Sequence, residues 1–87
     1  MTYQVRFAEN ALKQFSKLDK AVQKLILHWL IKNLEGSVDP RQKGKALVSN
    51  HSGEWRYRVG DYRLIADIQD DIVTILIIAV GHRKDIY

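Results

Sequence analysis

The 87-residue chain contains no cysteine, which excludes a disulfide framework, a thiolate metal site and a cysteine nucleophile. Its three histidines, His28, His51 and His82, lack the spacing of metal ligands, so a built-in zinc site is not expected. The longest apolar run, Ile72 to Val80, is about half as long as a membrane-spanning helix. The first residues, MTYQVRF, have no signal-peptide pattern. These absences predict a soluble, cytoplasmic protein without a metal.

The composition is typical of one small globular domain covering residues 1–87. Hydrophobic residues are 46% and charged residues 28%, and the length leaves no room for a second domain. Lysine and arginine outnumber aspartate and glutamate by 14 to 10, which favours nucleic acid, an acidic protein or an anionic membrane surface as partner. The excess lies in residues 1–45, with nine basic and four acidic residues, whereas residues 46–87 have five and six.

Hydrophobic periodicity predicts an N-terminal strand followed by two helices. Tyr3, Val5 and Phe7 alternate with polar residues, as in a strand. Apolar residues then recur at helical spacing, with Asp19 as N-cap of the second helix and Gly36 as the residue that ends it. The predicted core positions of the helices are Ala8, Ala11, Leu12, Phe15, Leu18, Val22, Leu25, Ile26, Trp29 and Leu30.

The apolar period changes to two near residue 46, which indicates strands. The predicted strands are Ala46–Asn50, Glu54–Val59, Tyr62–Gln69 and Ile72–Val80. Two-residue turns are predicted at Gly60-Asp61 and Asp70-Asp71. The last strand is apolar on both faces, which predicts a central position covered on both sides. The element order predicts an α+β fold: an N-terminal strand, a two-helix hairpin and a mostly antiparallel four-stranded meander, with the helices packed on one face of the sheet.

The predicted strands Glu54–Val59 and Tyr62–Gln69 bring arginines together. A two-residue turn between them sets Arg58 opposite Arg63, with Arg56 alongside. The opposite face carries Trp55, Tyr57, Val59, Tyr62 and Leu64. Like charges directly opposite each other destabilise a strand pair, so we expect the arginines to bind a multiply anionic ligand. The competing interpretation is a solvated face with Glu54 and Asp67 as partners of the arginines.

Other polar residues are candidates for binding the same anionic ligand or for acid–base chemistry on it. After Gly81 the tail can turn over the sheet edge, which would bring Arg83 and Tyr87 toward the arginines. His82 is a candidate acid or base because an imidazole titrates near neutral pH, although a surface or capping role fits equally well. His28 is expected to pack or to lie on the surface. Seven further basic residues could contact nucleic-acid phosphates, although a solvated face fits the helical lysines at least as well: Lys13, Lys17, Lys20, Lys24, Arg41, Lys43 and Lys45.

Three segments carry a specific likeness to a known family. They are FAENALKQFSKLD (residues 7–19), KGKALVSNHSGEWRYRVGDYRLIADI (residues 43–68) and VGHRKDIY (residues 80–87). In this order, and in so short a chain, they resemble the RelE branch of the RelE/ParE superfamily of type II toxins over nearly the whole length. The resemblance implies a small antiparallel sheet with helices on one side, as in microbial ribonucleases.

The resemblance also implies an activity and partners. The expected activity is that of an endoribonuclease that enters the ribosomal A site and cuts mRNA there, without a cofactor. The ribose 2′-OH would attack the adjacent phosphate and leave a 2′,3′-cyclic phosphate and a free 5′-OH. The expected partners are the ribosome, mRNA and a RelB-like antitoxin that neutralises the toxin. The toxin would reach operator DNA only through the antitoxin complex, which represses the operon.

The same resemblance assigns roles to individual residues. Arg63 would hold the scissile phosphate, Arg83 would stabilise the developing charge, and Tyr87 would stack on a base or orient the nucleophile. Arg56 and Arg58 stand where well-studied relatives carry lysines. Because arginine stays protonated, both suit electrostatic stabilisation better than proton abstraction. The general acid and base remain open among Glu54, Lys45, His82 and Tyr87.

Two other functions fit parts of the pattern. A ParE-like toxin would bind and poison DNA gyrase, and a non-catalytic module would bind RNA in a strongly salt-dependent manner. Converging phosphate ligands favour the nuclease, because a gyrase-binding protein has no need of them. An antitoxin helix could dock on a second apolar line of the second helix, formed by Leu27, Ile31 and Leu34, unless this line packs on the sheet or the first helix.

Overall fold

The computed structural model describes residues 2–46 and 54–84. The elements are β1 (Gln4–Phe7), α1 (Glu9–Ser16), α2 (Lys20–Asn33), β2 (Lys45–Ala46), β3 (Glu54–Val59), β4 (Tyr62–Gln69) and β5 (Thr74–His82). The strands form one sheet in the order β1-β5-β4-β3-β2. β1 runs parallel to β5, and the other neighbouring strands are antiparallel. The predicted α+β fold is confirmed.

Most predicted boundaries agree with the observed elements. β3 and β4 have the predicted limits, whereas β2 begins at Lys45 and the rest of the predicted strand Ala46–Asn50 lies outside the described residues. Within the described ranges, neither helix is long and apolar enough to cross a membrane.

Both helices pack on one face of the sheet and share one core with it. α1 contributes Ala11 and Phe15, and α2 contributes Ile26 and Leu30. The sheet residues of this core are Tyr57, Val59, Leu64, Ala66, Ile75, Ile77 and Val80. The burial of these residues removes apolar surface from water and holds the helices against the strands.

Two predicted core positions are wrong. Leu12 and Leu25 are 51% and 50% exposed, respectively. The buried line of α2 runs through Ile26 and Leu30, four residues apart, so Leu25 lies at its margin. In α1 the buried pair is Ala11 and Phe15, which leaves Leu12 toward solvent.

The connection between the helices depends on a side chain that the sequence pattern did not single out. Asp19 occupies the predicted N-cap position of α2, but its side chain makes no capping hydrogen bond. Gln23 instead donates through Nε2 to the backbone oxygens of Phe15 and Leu18, at 3.1 and 3.0 Å. These bonds hold the first turns of α2 against the end of α1 and the connection between the helices. α2 ends as predicted just before Gly36, which has a φ of 79°.

The connection between β4 and β5 differs from the predicted two-residue turn. Asp70–Ile72 forms a short 3₁₀ turn, and Val73 follows with a left-handed φ of 52°. β5 therefore begins at Thr74, opposite Gln69, and Ile72 is exposed rather than part of the strand. A valine with positive φ is rare, and the apolar run continues through the turn, so periodicity alone placed the strand start too early.

β5 is an internal strand between β1 and β4, and β4 is the middle strand of the sheet. Leu76 and Ile78 of β5 are only half-buried, so the prediction that both faces are covered holds only in part. The β4–β5 ladder skips Ile78, because Ile65 pairs with Ala79 and Ala66 pairs with Ile77. Such a bulge reverses the faces of all residues that follow it along β5.

A polar network fixes the β4–β5 turn. The Tyr3 hydroxyl donates to Asp70 Oδ1 at 2.6 Å, and Arg41 donates to both carboxylate oxygens of Asp70 at 3.1 and 3.0 Å. The hydrogen bond from Arg41, followed by that from Tyr3, holds the pKa of Asp70 below its ordinary value of 3.8. The network joins the segment before β1, the loop after α2 and the turn between β4 and β5.

Replacement of Asp70 by asparagine should reduce stability at neutral pH. Because the pKa of Asp70 is lowered in the folded state, its contribution is present above the ordinary pKa and is lost as the pH falls through the folded value. Thermal unfolding followed by circular dichroism should show wild type above Asp70→Asn at pH 7, with the gap closing below about pH 4. Asp71→Asn, at an exposed neighbour, is the matched control. A gap independent of pH would contradict this account.

Candidate functional site

The predicted register of the β3–β4 hairpin is confirmed. Arg58 pairs with Arg63 across the strands, and Val59 pairs with Tyr62. The turn residue Gly60 has a φ of 59°, a conformation that favours glycine. Two guanidinium groups of like charge therefore lie on directly opposed positions of the sheet, and Arg56 follows on the same face of β3.

A cavity of about 450 Å³ gathers these arginines with residues from two other elements. Its lining residues are Trp29, Lys43, Gly44, Lys45, Arg56, Arg58 and Arg63. Five of the seven are cationic, and no acidic residue is among the lining residues that the structure describes. Such a concentration of positive charge attracts anions, and a ligand with several negative charges offsets the repulsion among the side chains. We call this the cationic cavity.

The solvated-face interpretation is not supported for Arg56 and Arg58. Within residues 2–46 and 54–84, neither forms an ion pair with a carboxylate, and Arg58 Nε donates only weakly to the backbone oxygen of Gly60, at 3.4 Å. The expected neutralising residue Asp67 instead accepts a hydrogen bond from Gln69 at 3.0 Å. Glu54 lies opposite Asp67 in the register and is half-buried.

Two aromatic side chains of β3 anchor residues 40–45, the basic loop, which forms one wall of the cavity. Trp55 Nε1 donates to the backbone oxygen of Lys43 at 2.6 Å. The hydroxyl of Tyr57, a fully buried residue, donates to the backbone oxygen of Pro40, also at 2.6 Å. Burial raises the pKa of Tyr57, so its hydroxyl remains protonated and able to donate. Lys43 and its neighbours are thereby held beside the arginines of β3.

Gly44 permits the close approach of this loop to β3. It has a φ of 81°, and a Cβ atom there would collide with the backbone oxygen of Arg56. The same atom would lie 2.8 Å from Trp55 Nε1 and 2.9 Å from Tyr57 Cδ1. The sequence pattern singles out Lys43 and Lys45 but assigns no role to the glycine between them. The sequence signal for Gly44 is its position between two lysines, close to the predicted strand Ala46–Asn50.

The tail arginine lies near the hairpin turn but does not line the cationic cavity. Gly81 pairs with Arg63, and the Arg83 amide donates to the Asp61 backbone oxygen at 2.8 Å. Arg83 Nε is 4.0 Å from Asp61 Oδ1, and both side chains are exposed. Tyr87, expected beside the arginines, lies outside the described residues.

His82 is placed on the face opposite the arginines. It pairs with Tyr62, its ring contacts the Tyr62 ring edge-on at 5.4 Å, and its Nδ1 accepts a hydrogen bond from the Lys84 amide at 3.2 Å. The bulge at Ile78 causes this placement, since it shifts the later residues of β5 by one position. The geometry therefore does not bring His82 to Arg63 as an acid or base. His28 is exposed, and His51 lies outside the described residues.

Of the seven basic residues predicted to contact phosphates, Lys43 and Lys45 line the cationic cavity. The remaining five are not among its lining residues. The four helical lysines, Lys13, Lys17, Lys20 and Lys24, are exposed. Among these, Lys13 pairs with Glu9 at 3.6 Å. Arg41 is not among the residues that line the cavity, and both of its terminal nitrogens bind Asp70. In the described part of the chain, no three His, Asp or Glu side chains are grouped so as to hold a metal ion.

The predicted second apolar line of α2 is correct for two of its three residues. Leu27 and Ile31 are 41% and 66% exposed, but Leu34 is only 1% exposed. Leu34 is the C-cap residue of α2, where the chain leaves the helix and turns into the core. A surface formed by all three residues is therefore excluded.

The chain is similar to known toxins of toxin–antitoxin systems. The profile of a family described as "ParE toxin of type II toxin-antitoxin system, parDE" matches residues 5–87. Toxin RelG of Mycobacterium tuberculosis is 34% identical over 87 residues, which cover all of this chain and 98% of RelG. The chain belongs to the RelE/ParE superfamily of type II toxin–antitoxin toxins, and its similarity to RelG places it with the RelE-type members.

Solved structures support this assignment. The toxin–antitoxin complex RelBE2 of Mycobacterium tuberculosis contains a chain that superposes with a TM-score of 0.85 at 30% identity, covering 95% of this chain and 93% of that one. The isolated RelE toxin of Escherichia coli has a TM-score of 0.72 at 25% identity, with coverages of 93% and 84%.

Replacement of Gly44 by alanine should displace the basic loop from β3. Both Gly44 and Gly36 have positive φ, but a Cβ at Gly36 would meet no atom within 4 Å. Gly36→Ala should therefore lower the free energy of unfolding by only about 1–2 kcal/mol, through backbone strain. Gly44→Ala should cost about 1–3 kcal/mol more, because the backbone of β3 must also move. Urea denaturation measures both values. Equal losses for the two variants would show that the loop tolerates a Cβ at Gly44.

Proposed function

We propose that this toxin is an endoribonuclease that cuts mRNA in the ribosomal A site. The observation that supports this most directly is the cationic cavity, where five basic side chains surround a space without a lining carboxylate among the described residues. Attack of a ribose 2′-OH on the adjacent phosphate produces a pentacoordinate phosphorane with increased negative charge. Cations that are already in place stabilise that charge without reorganisation during the reaction.

The reaction forms a bond between the 2′ oxygen and phosphorus and breaks the bond between phosphorus and the 5′ oxygen. In this proposal Arg63 holds the scissile phosphate, while Arg56 and Arg58 stabilise the phosphorane oxygens. Arg83 and Tyr87 act from the tail on the developing charge and on a base or the nucleophile. The products are a 2′,3′-cyclic phosphate and a free 5′-OH.

A base must take the 2′-OH proton, and an acid must supply one to the leaving oxygen. Of the acid and base candidates, Lys45 lines the cationic cavity and pairs with Arg56 in the register. Glu54 precedes Arg56 by two positions on the same face of β3. Either residue is better placed for proton transfer than His82, which lies on the helix side.

The three arginines of the cavity support the proposed dependence on the ribosome. Arginines stabilise charge but do not exchange protons near neutral pH, so the reaction requires accurate orientation of the RNA. The ribosome supplies that orientation in this proposal, in the cytoplasm. The four exposed helical lysines, together with Lys43 and Lys45, provide contacts with RNA phosphates at the ribosome.

A RelB-like antitoxin is the proposed protein partner. The Mycobacterium tuberculosis neighbour was solved as a toxin–antitoxin complex, which supports a partner of that kind. Leu27 and Ile31 leave apolar area exposed on α2, and an amphipathic antitoxin helix could cover it. Repression of the operon would involve operator DNA through the antitoxin part of the complex.

The proposal is tested with purified toxin, a defined mRNA and a reconstituted translation system. Cleavage should occur on translating ribosomes and leave 2′,3′-cyclic phosphate ends, whereas the same mRNA without ribosomes should remain nearly intact. Primer extension locates the cuts, and end-group analysis identifies the products. Equal cleavage of free mRNA, or no cleavage under either condition, would contradict the proposal.

Arg63→Ala should reduce the rate of ribosome-dependent cleavage by about 100-fold or more, as expected for loss of a group that stabilises transition-state charge. The matched control is Arg6→Ala, which removes the same charge from an exposed position of β1 outside the cavity lining. Circular dichroism establishes that both variants fold. Arg83→Ala should also impair cleavage if the tail acts at the phosphate. Normal rates for Arg63→Ala would remove this residue from the proposed mechanism.

The family description supports a second candidate function, the binding and poisoning of DNA gyrase by a ParE-type toxin. A supercoiling assay with purified gyrase distinguishes the two candidates. The proposed nuclease leaves supercoiling unchanged. Inhibition that persists in Arg63→Ala, together with intact mRNA on ribosomes, would favour the gyrase toxin.

A further inference from the structure

The cationic cavity has one aromatic wall. Trp29 of α2 lines it together with Arg56, Arg58 and Arg63, and it is the only apolar side chain among the described lining residues. Trp29 is half-buried, so part of its side chain remains accessible. Neither the sequence pattern nor the family resemblance gives Trp29 a functional role, since the sequence predicts it only as a core residue.

Packing against Tyr57 fixes the Trp29 ring at the wall of the cationic cavity. Its centroid lies 5.6 Å from the centroid of the Tyr57 ring, and the two planes are inclined by 56°. Tyr57 is fixed in turn by its hydrogen bond to the Pro40 backbone oxygen. The ring is thus preorganised by the core, which lowers the entropy lost when a ligand binds.

We propose that Trp29 is a stacking surface for a nucleobase of the RNA whose phosphate the arginines hold. This inference rests on the proposed function and adds a positioning residue on α2 to it. An inorganic anion would use the cations but leave the indole without a partner, whereas a nucleotide has both a phosphate and a flat apolar ring. Proteins that bind single-stranded RNA combine the same two features.

The cavity volume agrees with this assignment. At about 450 Å³ it lies within the range of sites that hold small organic ligands. Because every base has an aromatic face, stacking on Trp29 should position any nucleotide, with stronger binding of the larger purines. The expected role is therefore orientation of the strand beside Arg63, with little selection of one base.

The test uses the full-length protein and adenosine 3′,5′-bisphosphate, with ribose 5-phosphate as the probe that has a phosphate but no base. The chain has two tryptophans, so the emission of Trp29→Leu reports Trp55 alone. The adenine nucleotide should quench wild-type emission and leave the emission of Trp29→Leu unchanged. Ribose 5-phosphate should quench neither. Equal quenching by both probes in the wild type would overturn the proposal.

Isothermal titration calorimetry then measures the affinity for the adenine nucleotide. Trp29→Leu should weaken binding by about fivefold to hundredfold, the range expected for loss of one base–aromatic stack. Trp29→Phe should restore most of the affinity, because it retains an aromatic face. Thermal melting of both variants identifies any loss of folding. Unchanged affinity in folded Trp29→Leu, or no rescue in folded Trp29→Phe, would overturn the proposal.

The outcomes for stacking and for cleavage are separable. If Trp29→Leu loses nucleotide affinity but the wild type does not cut mRNA on ribosomes, stacking holds and the proposed function fails. If the wild type cuts mRNA and Trp29→Leu retains full nucleotide affinity and cleavage, the proposed function holds and stacking fails.

Discussion

The site depends on the close contact between the basic loop and β3. Gly44 brings the loop backbone against that of Arg56, and the hydrogen bonds to Lys43 and Pro40 from β3 aromatics hold it there. Without this contact, the lysines of the loop would be free cations in solvent. With this contact, the lysines and the arginines line one cavity. The arrangement of the site therefore depends on the absence of a side chain at Gly44.

The pairing of Arg58 in β3 with Arg63 in β4 lowers the stability of the sheet. Arg58 and Arg63 face each other, and like charges at such positions raise the free energy of the sheet. The core on the opposite face offsets this cost, because Tyr57, Val59 and Leu64 are almost fully buried there. The two faces of the hairpin thus differ: one stabilises the fold through the core, and the other carries the concentrated positive charge.

The bulge at Ile78 of β5 determines which of the residues that follow it lie on the same face of the sheet as the arginines. Without the skipped Ile78, Val80 would lie beside Arg63 and would be withdrawn from the core. The bulge returns Val80 to the core, where its amide donates to Gln14 Oε1 at 2.8 Å. It also leaves Gly81, with no side chain to crowd the guanidinium, opposite Arg63. Gln14 of α1 thereby stabilises the register on which the arginine face depends.

The sequence by itself determined the α+β class, the limits of β3 and β4 and the pairing of Arg58 with Arg63, because these follow from local periodicity and a two-residue turn. Only the tertiary structure decided that His82 faces the helices and that Arg41 is bound by Asp70. It also decided that Trp29 borders the cavity. These placements depend on a β-bulge, a long-range ion pair and the packing of a helix on the sheet. Each involves residues far apart in the chain, and local sequence patterns carry no information about such contacts.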